Sequence, residues 1–238
     1  ELINVYGYNL EEGAKELIAP NFYDDNKEIK IPLDPTKTAR ENSQKYFDRY
    51  GKLKRTAEAL DTLLAETKAE IDHLESIQNS LDIALSADDL VQIKQELTEY
   101  GFIKKHRTGK KEKVKSKPFH YLSSDGYDMY VGKNNYQNDE LTFKFATGND
   151  WWFHAKGMPG SHVIVKNKGE EMPDRVYEEA AMLAGYYSKG RESDKIEIDY
   201  LQKKNVKKPA GSAPGFVVYY TNFSMTIHPD ISALTLLE

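Results

Sequence analysis

The chain has 238 residues, 39% hydrophobic and 11% aromatic, enough to bury the core of one large or two ordinary domains. Its net charge is -5 and it has no cysteine, which excludes disulfides, thiolate metal sites and cysteine nucleophiles and suits a reducing cytoplasm. No run approaches the roughly 18 apolar residues of a membrane-spanning helix, so no membrane partner is expected; no signal-like segment opens the chain, and its start at Glu1 implies further sequence upstream.

In chain order, Leu2, Ile3, Val5 and Tyr6 fit the end of an incoming helix, and ELIAPNFYDDNKEIKIPLDP then alternates and turns as a β-hairpin with its loop near Asp24 to Asn26. A long helix is expected from about Thr38. Tyr46, Tyr50, Leu53, Ala57, Leu60, Leu64, Thr67, Ile71, Leu74, Gln78, Leu81 and Leu85 recur at alternating spacings of four and three, a coiled-coil seam about 60 Å long at roughly 1.5 Å per residue. Ser86 followed three residues later by Asp89 resembles a capping box, and Gly101 is placed to end a second helix carrying Leu90, Ile93, Leu97 and Tyr100. This second helix is too short to cover the seam. Residues 1–102 therefore read as a helical arm with a small β-hairpin tip, its seam either covered by upstream sequence or paired in a homodimer.

Charge is unevenly distributed: residues 1–40 carry a net -3, 41–102 a net -6, 103–117 a net +7 and 118–238 a net -3. The basic segment, IKKHRTGKKEKVKSK, lacks apolar periodicity and reads as a linker. It is a solvated hinge or a phosphate-binding strap, in which Lys104, Lys105, Arg107, Lys110, Lys111 and Lys113 are the candidate contacts.

Residues 118–238 read as a second unit. Strands are expected at about 119–122, 127–131, 150–155, 161–166, 194–201, 215–220 and 223–228, with helices near 137–146 and 174–188. The fold class is α+β: the helical arm, then a domain with a mostly antiparallel sheet and flanking helices. GNDWWFHAKGMPGSHVIVK, residues 148–166, is dense in reactive side chains. In a regular strand the adjacent Ser161 and His162 point apart and cannot act as nucleophile and base to each other. His154 and His162 fall on different strands, with no third ligand at a recognisable spacing. Neither a catalytic residue nor a metal or cofactor is expected, and the chain is not read as an enzyme. One of Trp151 and Trp152 is expected in the core, while the other supports the turn or stacks on a base. The turn presents Lys156 and Ser161, YVGKNNYQND places Lys133, Asn134 and Asn135 at a strand end, and QKKNVKKPAGSAPG places Lys203, Lys204, Asn205, Lys207 and Lys208 in a loop that contacts phosphate or merely aids solubility.

YVGKNNYQNDELTFKFATGNDWWFHAKGMPGSHVIVK and YLQKKNVKKPAGSAPGFVVYY resemble the C-terminal RNA-binding-type domain of the NFACT family. ENSQKYFDRYGKLKR, with the preceding PNFYDD and IPLDP, resembles the family's middle and coiled-coil region. The resemblance implies a ribosome quality-control factor that binds the obstructed large ribosomal subunit and recruits alanyl tRNA for alanine tailing of stalled chains. It also implies that the arm reaches the base of the ribosomal stalk, and that the C-terminal domain helps hold tRNA and ribosomal RNA. The location implied is cytoplasmic. The alternative is a cell-surface adhesin binding host fibronectin. On this resemblance Asp150 is expected to fix local geometry, and Trp152, with the lysines and asparagines named above, is a candidate RNA contact.

Overall fold

The computed structural model describes residues 1–104 and 116–237. The chain folds as two compact units, Glu1–Lys68 and Ala69–Glu238. The division falls inside the long helix.

In the first unit, a short helix α1 (Leu2–Tyr6) precedes a hairpin of β1 (Glu16–Asn21) and β2 (Lys27–Pro32), paired antiparallel from Glu16 opposite Pro32 to Asn21 opposite Lys27. Its turn is where the sequence places it. Asp25 and Asn26 both take positive φ, 47° and 56°, a conformation that Asp and Asn tolerate better than most residues. Alternation along β1 buries Leu17 and Ala19, which pack with Ile3 in a small core.

The long helix α2 (Ala39–Ile83) begins with a capping box. The Thr38 backbone N–H donates to Glu41 Oε2 at 2.8 Å, and the Glu41 N–H donates to Thr38 Oγ1 at 3.3 Å. Asn42 and Tyr46 tie the helix to the hairpin: Asn42 Nδ2 donates to the Asp34, Lys37 and Thr38 carbonyls, and Tyr46 Oη donates to the Pro32 carbonyl at 2.7 Å. Beyond this point the seam residues Tyr50, Leu53, Leu60 and Leu64 are exposed.

The second unit holds the end of α2, helix α3 (Ala87–Glu99) and the remaining elements: β3 (Phe119–Leu122), β4 (Asp128–Val131), α4 (Asn135–Glu140), β5 (Trp151–Ala155), β6 (Val163–Val165), α5 (Asp174–Tyr186), β7 (Ile196–Gln202), β8 (Phe223–Ile227) and β9 (Thr235–Leu236). One sheet contains its seven described strands in the order β8-β7-β5-β6-β4-β3-β9, every pair antiparallel. Period-two alternation gives the sheet two buried faces. Phe153, Ala155, Val163, Val165 and Ile198 face a core shared with Val176, Ala180, Leu183 and Ala184 of α5. Trp152, Ile164 and Leu201 face a second core closed by Leu141, Ala146 and Val206.

Four expectations need adjustment. Residues 215–220 are not a strand: apart from one bridge between Lys207 and Val218 the segment is irregular, and Val217 and Tyr219 alternate inward because they cover the Trp152 face. The helix expected at 137–146 is α4 followed by a π-helical turn, Leu141–Phe145. A short strand, β9, adds to the sheet edge beside β3. The end of α2 packs through a stripe next to the heptad seam: Ile77, Ser80 and Ile83 are buried, whereas Ile71, Leu74 and Leu81 are exposed. The Ser86 capping box is present, with Asp89 as the reciprocal partner, and Gly101 takes φ +80° just past α3.

Candidate functional site

The 148–166 stretch is scaffold over most of its length. Trp152 is fully buried, its ring 5.3 Å from Tyr219 and 5.1 Å from His162 between centroids, so no face is free to stack on a base and the candidate role of Trp152 as an RNA contact is corrected. A large flat ring on the inward side of a central strand completes the core instead. Ser161 is buried and donates from Oγ to the Gly132 carbonyl at 2.6 Å, while His162 Nδ1 meets Thr142 Oγ1 at 2.8 Å. Neither faces the other, and neither is presented to a ligand. The His154 and His162 rings lie 5.5 Å apart, edge to face. Burial lowers the His154 pKa to about 4 and holds His162 well below the usual histidine range, where His154 depresses it further; both are neutral at pH 7. No cluster of three potential metal ligands occurs among the described residues.

Asp150 organises the start of the stretch. It accepts from the Thr147 and Asn167 backbone N–H groups and from Lys166 Nζ. Burial opposes ionisation, but the Lys166 bond and these N–H groups outweigh it and hold its carboxyl below the ordinary range.

The YVGKNNYQND segment is also turned inward, correcting the expectation that its polar residues meet RNA. Asn134 caps α4 by accepting from the Gln137 N–H at 3.0 Å, and its Nδ2 donates to Gln92 Oε1. Asn135 Nδ2 donates to Ser76 Oγ and to Glu96 Oε1, at 2.8 and 2.9 Å, and the same Glu96 oxygen lies 2.8 Å from His73 Nε2. Lys133 Nζ reaches Asp89 at 3.2 Å and lies over the Phe119 ring. These amides join α2, α3 and α4 into one buried polar network. Glu96 is completely buried, and that burial raises its pKa despite the Asn135 and His73 contacts.

The remaining candidates differ in availability. Lys156 is exposed but pairs with Glu197 at 2.5 Å. Lys208 is held by Asp139 and by the Ala213 carbonyl. Lys203, Lys204 and Asn205 form a 3₁₀ turn directly after β7, and Lys207 follows it. Among the described residues Lys203, Lys204 and Lys207 make no ion pair, and Lys204, Asn205 and Lys207 are exposed. Lys104 is exposed; Lys105, Arg107, Lys110, Lys111 and Lys113 lie outside the described residues.

Beside this lysine turn the structure forms a cleft absent from the expectations. Gln92 and Gln95 of α3 and Tyr136, Asp139, Glu140, Phe143, Lys144 and Lys208 line a cavity of about 500 Å³. Lys203 Nζ lies 5.7 Å from the centroid of its Phe143 ring. The spacing of Tyr136 and Phe143, seven residues or about two helical turns apart, is the one trace of it in the sequence.

Residues 1–116 match the NFACT N-terminal and middle domains, and residues 117–220 match the NFACT protein RNA binding domain. The chain belongs to the NFACT family. It is 40% identical over 231 residues to the Rqc2 homolog RqcH of Streptococcus pneumoniae, covering 97% of this chain and 41% of that protein. To the Rqc2 homolog RqcH of Bacillus subtilis it is 35% identical over 242 residues, covering 100% of this chain and 42% of the relative. The chain thus spans about two fifths of the length of these NFACT relatives. A solved structure of the C-terminal of the fibronectin/fibrinogen-binding protein from Streptococcus suis superimposes with a TM-score of 0.74 at 42% identity, over 82% of this chain and 77% of that one.

Proposed function

We propose that this chain is the RNA- and ribosome-binding portion of a cytoplasmic ribosome quality-control factor. In this reading it binds the obstructed large ribosomal subunit and helps recruit alanyl tRNA for untemplated alanine tailing of the stalled nascent chain. The helical segment reaches toward the stalk base, and residues 117–220 contact RNA. The chain contributes binding and positioning and performs no chemistry itself. The observation that carries the RNA reading is the lysine group at Lys203, Lys204 and Lys207, of which Lys204 and Lys207 are exposed and none makes an ion pair among the described residues, within the segment that matches the RNA-binding domain. The names of the RqcH relatives support the quality-control context.

The test is fluorescence anisotropy of labelled tRNA across a salt series, with a Lys203→Ala/Lys204→Ala/Lys207→Ala variant beside the unsubstituted chain. Every lysine that no longer neutralises a phosphate takes roughly 0.7 to 0.9 off the slope of log affinity against log salt, so a change of about 2 to 3 is expected. An unchanged slope overturns the assignment of these lysines. A second reading, a surface protein that binds fibronectin, is favoured by the description of the similar Streptococcus suis structure. Saturable binding to immobilised fibronectin without salt-dependent tRNA binding would move that reading first.

A further inference from the structure

We propose that the cleft between α3 and α4 is a subsite for one nucleotide of single-stranded RNA, its base lying against Tyr136 or Phe143 and its phosphates reaching Lys144, Lys203 and Lys204. This rests on the RNA reading above and specifies where an unpaired base is held.

The cavity, about 500 Å³, falls within the size range of small-ligand sites. Its lining combines the two elements that a sequence-tolerant single-strand site needs, aromatic rings and adjacent positive charge. Tyr136 and Phe143 supply the rings, and Lys144 is exposed beside them. Lys203 lies next to the Phe143 ring, which connects the cleft to the unpaired lysine turn. The Glu140 carboxyl and the amide atoms that Gln92 and Gln95 do not use internally, Gln92 Nε2 and Gln95 Oε1, lie around the base edge, where nucleobases present exocyclic amines and ring nitrogens.

The walls are fixed before any ligand arrives. Tyr136 Oη donates to Glu99, and Gln92 Oε1 is locked by Asn134 and Gln137. Asp139 holds Lys208 and accepts from the Gly215 N–H at 2.9 Å. Phe143 and Lys144 sit on the π-helical turn, a local widening that recurs at functional sites. The site is also composite: α3 lies in the segment matching the N-terminal and middle domains, and α4 in the segment matching the RNA-binding domain. A base paired and stacked within a duplex presents no free ring face, so the cleft selects single strands.

The experiment uses the full 238-residue chain and an oligoribonucleotide carrying 2-aminopurine, alone and annealed to its complement. Phe143→Ala is expected to weaken single-strand binding at least 5-fold while leaving duplex binding and the salt slope unchanged, and Phe143→Tyr to retain affinity. Because Phe143 also packs against the core around Trp152, its truncation could unfold the domain. Lys144→Glu, at an exposed position, provides the second variant and is expected to weaken single-strand binding several-fold. The 2-aminopurine emission should be quenched on binding to the unsubstituted chain. Folded variants that bind as tightly as the unsubstituted chain, or unquenched emission in a bound complex, overturn the subsite. If the lysine-turn variant alone loses binding, the RNA reading stands and the cleft assignment falls. If the unsubstituted chain binds no RNA, both fall.

Discussion

The two units treat the same kind of residue in opposite ways. In Glu1–Lys68, Leu53, Leu60 and Leu64 repeat with coiled-coil regularity yet remain exposed. In Ala69–Glu238, the apolar positions of α5 and the sheet are buried on both faces of an open antiparallel sheet. Periodicity states which residues share a face; it does not state whether that face has a partner. The end of α2 makes the same point within one element, since the stripe that packs is Ile77, Ser80 and Ile83 and not the heptad seam beside it.

Paired substitutions sharpen this contrast most. Leu183→Ala, at a fully buried position, is expected to cost about 2 to 5 kcal/mol, whereas Leu64→Ala, 66% exposed, is expected to cost under about 0.5 kcal/mol. Urea unfolding measures both. A cost at Leu64 approaching that at Leu183 would show the seam covered in solution, by a second copy of the chain, and concentration dependence of the midpoint would identify the dimer.

Next in size is the polar network of the second unit. Glu96→Ala leaves Asn135 and His73 without their shared acceptor in a buried setting and is expected to destabilise by about 3 kcal/mol. An effect below about 1 kcal/mol in the same unfolding assay would mean that water replaces the carboxylate and that the network is not what joins the helices.

The pH dependence is of similar size and falls on the sheet. His154 titrates near 4 in the folded chain and near 6.5 when unfolded, so between these values the unfolded state binds more protons. Its contribution is full above pH 6.5 and is lost as pH falls toward 4, with a total of about 3 kcal/mol. His162 acts in the same direction. Glu96, with its raised pKa, acts in the opposite direction, so a His154→Gln variant isolates the histidine part. A thermal-melt series over this range that is equally steep in that variant would remove His154 as the cause.

Much of the architecture was legible in advance because it depends on neighbours in sequence. The hairpin turn needed residues tolerant of positive φ, and Asp25-Asn26 supplied them. The Ser86-Asp89 cap satisfied backbone groups three residues away, and the strand alternation around Trp151 to Ala155 followed from the pleat. The site was less legible. Asn134, Asn135 and Ser161 have the chemistry of surface ligands but are consumed by internal partners distant in sequence, while nothing local in the sequence sets Tyr136, Phe143 and Gln92 around a cleft.

By itself, then, the sequence determined the type of most elements, the capping and turn positions, the heptad period and the NFACT resemblance, all carried by short-range geometry or ordered motifs. Only the tertiary structure decided which lysines stay unpaired, which helix stripe packs and which amides are buried. A polar side chain's role depends on whether a partner from another element reaches it within hydrogen-bond distance, and that partner can lie dozens of residues away, as Glu96 does from Asn135.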